Sequence, residues 1–188
     1  MTRTPILALS ALSLLALSGT AAAQPKLETG PKTFTMAPEY RAIQLSALQS
    51  QRKLMLSFAD SMPEKLYRDK ATPIQRSFSE QIDHIVGAAS FISARFITGA
   101  QPTPPDSAKV LNSRADLKQY INAQYDLMEK GLKEQSDADR DSQVKFFGTM
   151  MPKWQVWDEI NQHAMWTAGQ VVANFRKQGM APPAFLFF

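Results

Sequence analysis

Histidine is scarce in this chain, and its two copies, His84 and His163, are the side chains best suited to chemistry. Neutral imidazole is a ligand for zinc, nickel or iron. Thr167 follows His163 by four residues and Glu159 precedes it by four, so all three side chains share one face of a helix. Two imidazoles rarely complete a metal site. The chemistry therefore depends on a third ligand.

A structural role is the simpler interpretation of the two histidines. His84 stands between Ile82 and Ile85 in an apolar segment, where its ring nitrogens need hydrogen-bond partners. Leaving a buried polar group unpaired costs about 1–3 kcal/mol, so a hydroxyl or carbonyl is expected beside each ring. Spacing alone favours this interpretation over metal ligation, and both remain open at this point.

Helical periodicity places the two histidines on two of four predicted helices. A capping box formed by Ser77 and Glu80 opens the second helix, and Ser113 is a good N-cap for the third. The predicted helices are 39–61, 77–99, 113–135 and 152–179. No segment alternates with a period of two, so no strand is expected. The fold class predicted is all-α, a four-helix bundle.

The acidic segment 136–143 has some of the features of a calcium-binding loop. It carries Asp137, Asp139 and Asp141, but it lacks the glycine and the closing glutamate that such a loop needs. A solvated loop is therefore predicted.

The first 23 residues have the features of a signal peptide. Arg3 supplies the positive charge, residues 6–17 form a short apolar stretch, and residues 21–23 are alanines suited to cleavage. A membrane anchor would need about 20 apolar residues, which this stretch does not reach. We expect a periplasmic or secreted protein with no membrane span after cleavage, an irregular leader over 24–38, and one folded domain over 39–188.

Composition excludes two classes of function. The net charge is +4, but lysine and arginine are interspersed with aspartate and glutamate, so no basic stripe for nucleic acid is present. The chain contains no cysteine, which excludes disulfides and thiol chemistry by the protein itself.

Two stretches of the chain resemble the DinB-like superfamily. They are TPIQRSFSEQIDHI at 72–85 and NQHAMWTAGQ at 161–170, followed by FRKQG at 175–179 and the proline pair at 182–183. The resemblance implies a four-helix bundle, often a homodimer, related to metal-dependent hydrolases and thiol-dependent transferases. It also implies a divalent metal such as zinc, nickel or iron on one side chain of the second helix and two of the fourth.

Carried over by position, those ligands are His84, His163 and Thr167, and the threonine departs from the family's histidine. A hydroxyl is a weak ligand beside imidazole. Three outcomes are open: a depleted site with low metal affinity, a site in which Glu159 substitutes, or a cleft without metal.

Two functions are therefore compared. As an enzyme, the chain would act on a small molecule entering between the second and fourth helices, with Glu159 or Asp83 as general base and residues 102–105 as a gate. As a non-catalytic small-ligand-binding or dimeric bundle, it would use aromatic side chains to line an apolar pocket or dimer surface. These aromatics are Trp154, Trp157, Trp166, Phe146 and Phe147. The apolar tail, 185–188, is expected to pack on the bundle or on a partner subunit.

Overall fold

Four long helices dominate the computed structural model, which describes residues 38–100 and 104–184. They are α1 (Pro38–Ser61), α2 (Phe78–Ser93), α4 (Arg114–Glu134) and α6 (Lys153–Lys177). The shorter elements are a 3₁₀ turn (Glu64–Leu66), a π-turn (Ala94–Thr98), α3 (Ser107–Val110), α5 (Asp137–Asp141), β1 (Gln143–Phe146) and β2 (Thr149–Pro152). Helix α2 packs mainly against α6, and α1 packs mainly against α4. The prediction of an all-α helical bundle is confirmed.

Local sequence signals set the ends of these helices. The backbone N–H and hydroxyl of Ser77 both donate to the Glu80 carboxylate at 2.8 Å, which holds the first turn of α2. The hydroxyl of Ser113 accepts from the backbone of α4 as predicted. Gly99 and Gly179 have φ of 70° and 69°, a left-handed conformation that favours glycine, and they end the helices before them.

A buried tyrosine satisfies a carbonyl that helix α1 cannot satisfy itself. The Ala59 carbonyl would normally accept from the residue four positions later, but Pro63 has no N–H to donate. The Tyr67 hydroxyl donates to this carbonyl at 2.7 Å, and the Tyr67 side chain is fully buried. This contact ties the α1–α2 connection to the core.

The segment before α6 differs from the prediction in two ways. The expected acidic loop is partly helical, because the Ser136 hydroxyl caps α5 by accepting from the backbone N–H of Asp139 at 3.1 Å. An antiparallel hairpin of β1 and β2 follows, so the prediction of no strands is wrong. Each strand has four residues, too few for alternation to stand out. Phe147 and Gly148 both have positive φ, as a two-residue hairpin turn requires.

Several predictions fall outside the described residues. They concern the signal peptide over 1–23, the leader over 24–38 except Pro38, which begins α1, and the tail over 185–188. The proposed gate at 102–105 is described only from residue 104. Among the described helices, none combines the length and apolar character needed to cross a bilayer.

Candidate functional site

The interface between α2 and α6 holds both histidines. The Gln81 amide donates to the Gln170 side-chain oxygen at 2.7 Å. Further along the interface, the ring centroids of His84 and His163 lie 5.2 Å apart, with the ring planes at 76°. From the first contact to the second, the residue number increases on α2 and decreases on α6, so the two helices run antiparallel here. The structure therefore brings the two predicted imidazoles together.

Thr167 lies between these two contacts along α6. It is one turn beyond His163 and one turn before Gln170, and its exposed fraction is 2%. The side chain is therefore buried at the same helix interface. The third position of the predicted ligand set carries a neutral hydroxyl where the resemblance implies an imidazole.

The imidazole pair has the spacing that a shared metal ion would need. With metal–nitrogen bonds of about 2.0–2.1 Å and tetrahedral angles, the centroids of two ligating rings lie roughly 5 Å apart. The observed separation is 5.2 Å. The Nδ1 atom of His163 is also buried without a hydrogen-bond partner. None of the described residues pairs with this nitrogen, which leaves it available to a ligand.

The surroundings favour the neutral form of both rings. Burial is the main cause that lowers the pKa of His84 and of His163, and the positive charge of Arg76 lowers each further. The charge of His163 adds to the effect on His84. Since metals bind the neutral imidazole, both rings are in the binding-competent form near pH 7.

A family model described as the DinB superfamily matches residues 47–171. The chain belongs to the DinB superfamily. The match contains His84, His163, Thr167 and Glu159, so every candidate ligand lies within it. No curated protein matches the chain.

Glu159, the alternative ligand of this DinB-superfamily protein, lines an open groove beside His163. Gln162, Met165 and Trp166 also line this groove, and the Trp166 side chain is 78% exposed. Among the described residues, no group of three His, Cys, Asp or Glu side chains is placed to hold one ion. Ligation of a metal by Glu159 remains a prediction. The Glu159 side chain is accessible from solvent through the groove.

Asp83, the other candidate base, is engaged elsewhere. Burial raises the pKa of its carboxyl, against the opposing effect of a hydrogen bond from Tyr120 on α4. Burial and this carboxylate in turn raise the pKa of the Tyr120 hydroxyl well above its usual value. The contact directs Asp83 towards α4. Glu159 is therefore the better placed of the two candidate bases.

The five aromatic residues predicted to line an apolar pocket or a dimer surface are spread over the molecule. Trp157 is in the core, and Trp166 is exposed on the groove. Phe146 and Phe147 contact Phe96 beside the hairpin, each with ring centroids 5.0 Å apart. Trp154 meets the ring of Tyr40 edge to face at 6.2 Å. A single aromatic pocket is not formed.

The sequence places Gln170 on the same face of the fourth helix as His163 and Thr167, but it does not indicate the partner of Gln170, which is Gln81. Gln81 precedes His84 by three positions and Gln170 follows Thr167 by three, so their hydrogen bond joins the two helices beside the candidate ligands. The helical spacing was the available signal. Their pairing depends on the packing of α2 against α6, which the spacing within one helix does not reveal.

Proposed function

We propose that this chain is an exported DinB-superfamily protein that binds a divalent metal with low affinity through His84 and His163. The observation that carries the proposal is the buried, unpartnered Nδ1 of His163 in a ring 5.2 Å from that of His84. Both rings are held neutral by burial and by Arg76. Thr167 would contribute a weak hydroxyl contact at the same interface.

The reaction class that follows is hydrolysis or group transfer on a small molecule. Zinc, nickel or iron at such a site supplies Lewis acidity and lowers the pKa of a bound water. The chain itself contributes the open groove beside His163, where a substrate can approach, and the carboxylate of Glu159 as a proton acceptor. The exposed Trp166 ring offers an apolar surface at the edge of that groove.

Export and dimer formation belong to the same proposal. Export is supported by the charge at Arg3, the apolar stretch 6–17 and the alanines at 21–23, and it predicts a mature chain beginning near Gln24. Formation of a homodimer is supported by the family resemblance and by the exposed apolar side chains of Phe91 on α2 and Trp166 on α6.

A second candidate is a bundle that binds small molecules without catalysing a reaction. The observation that favours it is the hydroxyl of Thr167, buried at the third ligand position. The two candidates differ in whether the imidazoles engage a metal at attainable concentrations.

Nitrogen chemical shifts of the two imidazoles distinguish these candidates, because a chain with two histidines gives two assignable ring patterns. We expect zinc to shift the ring signals of His84 and His163 together, with one saturation curve. His163→Gln should abolish the shift at His84. The control Lys130→Ala, which removes an exposed α4 side chain paired with Glu134, should retain both shifts. Rings that stay unchanged at excess zinc would overturn the metal proposal and leave the binding bundle.

A further inference from the structure

A second cavity lies on the opposite side of α6 from the imidazole pair. Its volume is about 320 Å³ and it lies between α1 and α6. Cavities that hold small molecules have volumes of about 300–1,000 Å³, so this one suits a small ligand. The residues with polar side chains or aromatic rings that define it are Tyr40, Gln44, Gln51, Trp157, Asp158, Asn161 and Gln162, the last of which also lines the groove beside His163.

Gln44, one of the lining residues, has a side-chain acceptor that is unsatisfied. Its amide nitrogen donates to the Trp154 carbonyl at 2.8 Å and to the Asp158 carboxylate at 3.1 Å. Both partners are acceptors, so the orientation of the amide is fixed with nitrogen towards them. Its oxygen Oε1 is then buried without a partner, in a side chain that is 5% exposed. A ligand that donates an N–H would complete it.

Asp158 supplies a negative charge that neutral groups hold in place. The Tyr40 hydroxyl donates to one carboxylate oxygen at 2.7 Å, and Gln44 donates to the other. The described residues that line the cavity include this carboxylate and no lysine, arginine or histidine. Burial, followed by the hydrogen bond and charge of Asp158, raises the pKa of Tyr40 to about 12, so the phenol remains a neutral donor.

We propose that this cavity binds a small molecule carrying a protonated amine. The Asp158 carboxylate balances the charge, and Oε1 of Gln44 accepts one N–H. The rings of Tyr40 and Trp157 flank the site and suit a cation or an apolar substituent. An anion would be repelled by the carboxylate of Asp158, and no cationic side chain among the described lining residues would offset that charge. The site differs from the proposed metal centre in location and in chemistry, because its ligands are oxygen acceptors on α1 and α6.

Three probes with the same ring and different charges test this assignment on the full-length chain. Benzylammonium, benzyl alcohol and benzoate share one ring and differ in charge. In NMR titrations, benzylammonium should shift the signals of the Trp157 indole and the Gln44 side chain with a dissociation constant of roughly 1–10 mM, as expected for a fragment. The alcohol should bind at least about tenfold more weakly, and benzoate should not bind.

Variants locate the site. Asp158→Asn should weaken benzylammonium binding at least about tenfold. The control Asp60→Asn removes an exposed carboxylate, paired with Lys118, from the same bundle and should leave binding unchanged. Should Asp158→Asn fail to fold, Ala47→Leu provides a second test, because it narrows the cavity without touching its polar groups. Equal binding of the three probes, no binding of benzylammonium, or unchanged binding in either cavity variant would overturn the proposal.

Discussion

Replacing Thr167 by histidine should convert the proposed weak metal site into a strong one. Thr167 lies on the face of α6 between the His84–His163 contact and the Gln81–Gln170 hydrogen bond. An imidazole at this position would stand one turn from His163, a spacing at which two side chains on a helix can reach one ion. Three imidazoles are a sufficient protein ligand set for a catalytic zinc.

The size of the effect follows from burial and from mass action. Thr167 is 2% exposed, so the larger ring costs about 1–3 kcal/mol of stability without metal. For a chain of this length, this lowers the melting temperature by about 2–12 °C. Zinc at a concentration a hundred times its dissociation constant stabilises the folded state by about 2.7 kcal/mol. Zinc should therefore raise the melting temperature of the Thr167→His variant by about 5–11 °C.

Thermal unfolding with and without zinc provides the assay, and Thr167→Leu is the control that adds bulk without a ligand. We expect a zinc-dependent rise in Thr167→His that exceeds the rise in the wild type at the same concentration. The leucine variant should lose stability and show no greater response than the wild type. A folded Thr167→His protein that responds to zinc no more than the wild type would refute the placement of this residue in the site.

Three further predictions concern stability. First, the folded state lowers the pKa values of His84 and His163 below 6.5, so the unfolded chain binds protons at a higher pH and the free energy of unfolding should fall as the pH drops below 6.5. Urea unfolding at several pH values should show that the free energy of unfolding depends less on pH when both histidines are replaced by glutamine. An unchanged pH dependence in that double variant would contradict the assignment. Second, Ser77→Ala should cost about 1 kcal/mol in urea unfolding through loss of the α2 cap; a stability equal to wild type would show that the cap is dispensable. Third, Tyr67→Phe should cost about 1–3 kcal/mol because the buried Ala59 carbonyl loses its donor; an unchanged urea midpoint would show that water replaces the hydroxyl.

Features that depend on a few neighbouring residues were predictable from the sequence. The cap at Ser77, the cap at Ser113 and the helix ends beside Gly99 and Gly179 are all local, and the structure confirms them. The hairpin over 143–152 was not predicted, because its short strands are stabilised by contacts with distant residues. Phe146 and Phe147 pack against Phe96 on the π-turn, a partner that only the folded chain supplies.

The candidate metal centre was predictable in part for the same reason. Helical spacing groups Glu159, His163 and Thr167 on one face of α6, and the family resemblance connects them with His84. The distance between the rings and the unpaired nitrogen of His163 depend on how α2 packs against α6. The cavity around Asp158 carries no sequence motif, since it requires side chains of α1 and α6 separated by more than 100 positions.

The metal content of the protein tests the central claim most directly. The mature chain should be purified without a chelator or a histidine tag and examined by elemental analysis, before and after incubation with excess divalent ions. The account predicts zinc, nickel or iron that approaches one ion per chain after incubation and is lost in His84→Ala. A protein that takes up no metal even from excess ions, or a His84→Ala variant that retains as much as the wild type, would contradict it.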